Sequence, residues 1–146
     1  MTAQLCDVNI WLALALSGHA QHSVVRQWFD SVEGPGQALF CRSTQQSFLR
    51  LLTNSAVLAP YGNKPLTNAA AWSAYESLLA DDRIEFAAQE PPGISERWKQ
   101  LAAKRTASPK LWMDAYLAAF ALAGQLTLVT NDRAFKQFRG LSLTLL

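Results

Sequence analysis

Apolar residues fall along this chain in two rhythms. Short, mostly apolar segments occur at 4–6, 38–41, 84–87, 126–130 and 141–145. Such segments read as strands whose two faces are both covered. Between them lie longer stretches in which apolar residues recur every three or four positions, as on the core face of a helix. The first of these, 10–16, follows Asp7-Val8-Asn9 and ends near Ser17-Gly18. The next, 21–32, places Val24, Val25, Trp28 and Phe29 at helical spacing. A turn at Gly34-Pro35-Gly36 separates it from the second strand.

Local signals mark where the remaining helices begin and end. Ser43 or Thr44 is expected to cap a helix running through Thr53, with Phe48, Leu51 and Leu52 on its core face. After a loop at 60–65, Thr67 or Asn68 caps a helix to Leu79 with Trp72, Tyr75 and Leu79 inward. Pro91-Pro92-Gly93 opens a helix that ends near Lys104. Ser108-Pro109 reads as an N-cap and first helical residue, starting a helix to Ala123 with Gly124 as the residue that turns the chain out of it. A short helix is expected at 133–138. Strands that alternate with helices in this way predict an α/β chain. The expected fold is a three-layer α/β/α sandwich with a mostly parallel central sheet, in a single domain over 1–146. Sites in such sheets form beyond the carboxyl ends of the strands, where the strand order reverses.

Composition narrows the class. Half of the 146 residues are hydrophobic and 16% are charged, which excludes intrinsic disorder and a coiled coil. A chain of this size buries a full core without a disulfide or metal staple. Cys6 and Cys41 each lie in a short apolar run and read as buried reduced thiols, so a cytoplasmic location is expected. The N-terminus lacks the basic region of a signal peptide, and no apolar stretch is long enough to span a membrane. The net charge of +2 is too small to argue a nucleic-acid partner. Its distribution says more, because no acid occurs between Glu33 and Glu76, where Arg42, Arg50 and Lys64 lie. Arg133, Lys136 and Arg139 crowd the C-terminal end. These cations either rim a polyanion site or form an ordinary solvated surface.

Three carboxylates stand apart from the other eight, which lie in polar or turn-like segments. Asp7 follows Leu5-Cys6, Asp114 lies inside Leu111-Trp112-Met113-Asp114-Ala115-Tyr116-Leu117, and Asp132 closely follows 126–129. A carboxylate among apolar neighbours is costly unless it is paired or bound to a metal. Asp7 and Asp132 each fall just past the carboxyl end of an expected strand, and Asp114 lies in the first turns of a helix. If the strands are neighbours, all three acids converge on one crevice. Gathered there, they repel and raise each other's pKa, and a hard divalent cation such as Mg²⁺ or Mn²⁺ relieves that repulsion. Each acid also has a plainer reading: Asp7 and Asp132 as N-caps, Asp114 as the partner of a core cation.

Other chemistries find less support. Cys6, Cys41, His19 and His22 do not form a zinc-ligand set. Neither cysteine has a base beside it in sequence, and His19 and His22 read as a polar helix entry. There is no phosphate-binding glycine loop or dinucleotide fingerprint. Trp11, Trp28, Trp72, Trp98 and Trp112 are spaced as helix core rather than as a base-stacking platform.

Four segments, in order, resemble the motifs of the PIN-domain ribonucleases. They are Asp7-Val8-Asn9-Ile10-Trp11-Leu12-Ala13-Leu14, the stretch from Thr44-Gln45-Gln46-Ser47-Phe48 to Thr53, the stretch from Trp112-Met113-Asp114-Ala115-Tyr116 to Ala121, and Val129-Thr130-Asn131-Asp132-Arg133-Ala134-Phe135. Their order, spacing and length are similar to those of the VapC-type toxins of bacterial toxin–antitoxin pairs. The resemblance implies a parallel α/β/α fold and endonucleolytic RNA cleavage at an acidic Mg²⁺ or Mn²⁺ site. Carried over, Asp7, Asp114 and Asp132 match catalytic and metal-binding acids. The family's fourth acidic position falls on Gln45, whose amide oxygen can coordinate but brings no charge. Thr130 and Asn131 are auxiliary polar candidates toward metal-bound water or substrate, and Arg50 and Arg133 are candidate RNA-backbone contacts. The resemblance further implies a homodimer neutralised by a small antitoxin, with 10–16 and 48–52 as candidate docking faces. The competing readings are a PIN-fold module that binds RNA or a protein without cleaving, and an aspartyl phosphoryl-transfer enzyme. The latter usually pairs its acids with a strand-end Lys, which is missing from this sequence.

Overall fold

A computed structural model describes residues 2–146. Its strands are β1 (Gln4–Cys6), β2 (Ala38–Phe40), β3 (Ile84–Phe86), β4 (Thr127–Thr130) and β5 (Leu143–Leu145). They form one sheet in the order β3-β2-β1-β4-β5, and every neighbouring pair is parallel. The chain winds outward from β1 to β3, then returns to the other side of β1 for β4. The order therefore reverses between β1 and β4, where a doubly wound sheet opens a crevice.

Successive strand residues point to opposite faces, and each face has its own core. Cys6, Phe40 and Val129 face the layer of α1 (Val8–Ala15), α2 (His22–Asp30), α3 (Arg42–Leu52) and α5 (Asn68–Leu79). There the Trp11 indole lies flat on Phe40, with ring centroids 3.9 Å apart. Leu5 and Leu128 face the opposite layer, α6 (Ile94–Ala102) and α7 (Leu111–Ala123). Ala115, Ala118, Ala119 and Ala121 are fully buried on α7, so small side chains let this helix lie close to the sheet. The expected three-layer fold is the one found. No helix among the described residues is long and apolar enough to cross a membrane.

Several local expectations are corrected. The helix after β2 starts at Arg42 with Cys41 as its N-cap, and Thr44 instead occupies the third helical position. From there its hydroxyl accepts from the Cys41 N–H at 3.0 Å. The segment after α3 holds a further short helix, α4 (Ser55–Leu58), capped by Asn54. Trp72 is exposed, because the buried stripe of the alanine-rich α5 is Ala71 and Tyr75 and Trp72 points about 100° away from it. Trp112 is also exposed, so the tryptophans are not uniformly core. Ser108 and Pro109 belong to a turn closed by the Leu111 N–H on the Ser108 carbonyl, and α7 begins two residues later than expected. Ile10, Leu12, Phe48 and Leu52 are buried within the domain, which removes the core faces of 10–16 and 48–52 as open docking grooves.

Candidate active site

Asp7 ends β1 and caps α1. Its Oδ1 accepts from the Val8 N–H at 2.7 Å, and its Oδ2 accepts from the Thr130 hydroxyl at 2.9 Å. The same Thr130 oxygen accepts from the Asp132 N–H at 3.0 Å. One fully buried hydroxyl at the end of β4 thus ties the carboxyl ends of β1 and β4 together. Asp132 caps the 3₁₀ turn Arg133–Gln137 through the Ala134 N–H. The capping readings of Asp7 and Asp132 both hold, and Thr130 links the two residues. Asp114 lies in the first turn of α7, where the helix dipole favours a negative charge. It lines a hollow of about 250 Å³ with Ser108, Lys110, Leu111, Ala134 and Gln137.

The charges of Asp114 and Asp132 bear on Asp7, and that of Asp132 bears on Asp114. Burial raises the Asp7 pKa most, the bonds from Thr130 and Val8 pull it back, and the charges of Asp114 and Asp132 raise it again. Burial and the Asp132 charge raise Asp114, and Lys110 partly offsets this. Asp7 is only 7% exposed, and neither ion pair among the described residues involves it. Its charge is therefore held by two hydrogen bonds against two like charges. An all-oxygen cluster with this excess of negative charge fits a hard divalent cation. No group of three or more His, Cys, Asp or Glu among the described residues is drawn together tightly enough to hold an ion alone. Water would have to complete the shell, as is usual for Mg²⁺.

The remaining candidates separate. Asn131 is half-buried between Thr130 and Asp132 in the chain and Arg133 is exposed immediately beyond, and neither lines the hollow at Asp114. Arg50 lies apart. It is eight residues down α3 from Arg42, about 12 Å along the helix axis, and lines a separate groove with Trp72. Gln45 is buried, and its amide is engaged at both ends. Its Oε1 accepts from Arg42 Nη1 at 2.6 Å, and its Nε2 donates to the Tyr75 hydroxyl at 3.2 Å. The guanidinium of Arg42 also lies over the Phe86 ring, 4.6 Å from its centroid. The sequence reading named Arg42 only as one of several cations and missed Lys110. Arg42 becomes legible once α3 is started directly after Cys41, because it is then three residues before Gln45 on one helical face.

Comparison with known proteins gives a consistent result. A family model of the PIN domain matches residues 5–141. Ribonuclease VapC41 of Mycobacterium tuberculosis is 57% identical over 142 residues, covering 97% of each chain. Among solved structures, VapBC2 from Rickettsia felis bound to a DNA fragment from its promoter aligns with a TM-score of 0.67 at 14% identity, covering 99% of this chain and 98% of the other. M. tuberculosis VapC20, a Sarcin-Ricin loop cleaving toxin, aligns with a TM-score of 0.63 at 18% identity, covering 92% and 94%.

Proposed function

We propose, for a chain that belongs to the PIN-domain family and within it to the VapC ribonucleases, that it is the toxin of a toxin–antitoxin pair and cleaves RNA internally at the site of Asp7, Asp114 and Asp132. The observation that carries this reading is the buried Asp7 at the carboxyl end of β1, on which the charges of Asp114 and Asp132 both bear, with no ion pair among the described residues to neutralise it. A divalent ion such as Mg²⁺ or Mn²⁺, held by Asp7 and Asp114 with Asp132 beside it, supplies neutralisation of the phosphate and acidification of a water.

The chain's own groups do the rest. Thr130 holds Asp7 in its ionised form and fixes the Asp132 backbone, so both carboxylates keep one geometry. Asp132 orients the attacking water and takes up its proton as the new phosphorus–oxygen bond forms, while the bond to the departing ribose oxygen breaks and that oxygen takes a proton from solvent. Asn131 and Arg133 contact the RNA at the crevice mouth. Gln45 supplies no negative charge, and its oxygen already accepts from Arg42, so a single strongly held ion is expected rather than two. An antitoxin that covers this site, a homodimeric state and a cytoplasmic location complete the proposal. VapBC complexes among the structural neighbours and two buried free cysteines support it.

The test is cleavage of a mixed structured RNA by the purified protein with Mg²⁺ or Mn²⁺ and with EDTA, beside Asp7→Asn and Asp114→Asn. Cutting is expected only with metal. It is expected to fall at least a hundredfold in each variant, on the order of 3 kcal/mol of barrier. Cutting that survives EDTA or Asp7→Asn would overturn the assignment. Tight RNA binding without cutting, by protein shown to be folded, would favour the non-cleaving module.

A further inference from the structure

We infer that the hollow between the start of α3, the residues after β3 and one side of α7 is a nucleotide subsite, in which Arg42 grips an RNA backbone phosphate and Glu90 reads the edge of the attached base. This rests on the ribonuclease reading above and names where the strand beside the cut is held. The hollow measures about 440 Å³, within the range of small-ligand sites. It adjoins the acids. The β1–β2 register pairs Leu5 with Leu39. Carried two residues further, it sets Asp7 beside Cys41, the residue before Arg42, at about one strand spacing of ~4.8 Å. On α7, Met113 and Tyr116 line the hollow on either side of Asp114 in sequence.

Arg42 suits a phosphate for three reasons. No carboxylate pairs with it among the described residues, where the ion pairs are Arg26–Asp30 and Arg83–Asp81. Its plane is already fixed by the Phe86 ring and by one bond to Gln45 Oε1. Most of its five N–H donors remain for a ligand, in a fork that matches phosphate oxygens. The family resemblance places a fourth carboxylate at Gln45. Here an amide and a guanidinium take that place, so this side of the site attracts the RNA backbone instead of a second cation.

Glu90 suits a base edge. Its Oε2 accepts the Tyr116 hydroxyl, which holds the carboxylate still and leaves Oε1 free to accept. A carboxylate selects a base that presents an amino group, as glutamate does with the cytosine N4. Uracil flanks its single N–H with two carbonyl oxygens, which face the carboxylate unfavourably. Met113, Tyr116 and Phe120 give the apolar surface against which a base lies.

Two measurements test this. The first is fluorescence anisotropy of a randomised RNA 12-mer on Asp7→Asn protein across a salt series. Adding Arg42→Ala is expected to weaken binding about tenfold and to reduce the log–log salt slope by roughly 0.7, one phosphate contact on a single strand. Arg42→Lys is expected to restore the slope, and Arg50→Ala, in the separate groove, to change neither quantity. The second reads base preference in RNA enriched from the pool on Asp7→Asn protein, and in the ends cut by otherwise wild-type protein. Uracil is expected to be depleted at one position, and Glu90→Gln to abolish that depletion. Unchanged affinity and slope in a folded Arg42→Ala protein, or unchanged preference in Glu90→Gln, would overturn the subsite. If the wild-type protein cuts nothing, the ribonuclease reading falls, while the binding and enrichment arms still decide the subsite.

Discussion

At the scale of single residues, the site turns on Thr130. Its hydroxyl donates to Asp7 Oδ2 and accepts from the Asp132 N–H, and the side chain is fully buried. Thr130→Val keeps the shape and removes both bonds. The backbone N–H then loses its partner, a loss worth about 1–3 kcal/mol where the group is buried. Asp7 loses one of the two bonds that lower its pKa, so its carboxyl rises further from an already raised position. The expected result is an acid limb of the pH–rate profile moved to higher pH, with roughly tenfold less activity at neutral pH. Part of that loss should return in alkaline buffer, and Thr130→Ser should recover most of it. A folded Thr130→Val protein with an unshifted profile would remove Thr130 from the site. Asp7 and Asp114 were legible in the sequence because each has apolar neighbours, where an unpaired carboxylate is costly, and Asp132 because it closely follows the apolar run 126–129. The role of Thr130 was not legible in that way. A threonine at a strand end is ordinary, and its bond to Asp7 spans 123 positions of sequence.

At the scale of elements, the strands were legible and the helix ends were not. A buried parallel strand announces itself by a short apolar segment between turn signals, whereas a helix end depends on one residue's backbone. The end of α7 shows this. Gly124 has a right-handed φ of −88°, and Gln125 instead carries the left-handed turn at φ 54°. The Leu126 N–H reaches the Ala121 carbonyl and the Gln125 N–H the Leu122 carbonyl, a Schellman closure with a glutamine at its left-handed position. Gly124 is small for another reason: a Cβ there would lie 3.0 Å from the Phe120 carbonyl and 3.2 Å from Pro91 Cγ. Adjacent substitutions should therefore have opposite signs. Gln125→Gly relieves a left-handed cost of about 1–2 kcal/mol and gives back about 0.4–1 in unfolded-state freedom, a net gain of roughly 0.5–1 kcal/mol. Gly124→Ala crowds the closure and costs about 1 kcal/mol or more. Chemical denaturation of the two variants checks this, and equal signs would refute the closure as described. Trp72 was misplaced for a related reason. On this helix a tryptophan is the strongest apolar signal, yet Ala71 and Tyr75 define the face that packs.

At the scale of the whole molecule, the parallel sheet brings three acids from distant parts of the chain to one edge, and this links stability to pH and to metal. Asp7 and Asp114 both have folded pKa values above the ordinary 3.8. Above that value the folded chain holds more protons than the unfolded one, so stability from these groups falls as pH rises. They are most favourable to folding below 3.8, and their contribution is lost progressively as pH climbs through their raised values. Asp81, lowered by its bonds to Arg83, acts in the opposite sense, but that pair is partly solvent-exposed and its effect is small. Metal-free protein thus carries more of the cost of ionising Asp7 as pH rises from 4 to 7. Asp7→Asn removes that cost, so in EDTA the variant should melt at a higher temperature than the wild type at pH 7, with the gap narrowing toward pH 4. Divalent metal should reverse the order. An ion bound only by the folded state adds about 2.7 kcal/mol at a hundred times its dissociation constant, and Asp7→Asn forfeits most of this. Thermal melts of both proteins across this pH range in EDTA, and at pH 7 with Mn²⁺, read the two effects separately. A wild-type protein that gained stability from pH 4 to 7 in EDTA relative to Asp7→Asn, and showed no shift with Mn²⁺, would mean that Asp7 is a helix cap whose charge folding favours. In that case the crevice would have no call on a cation.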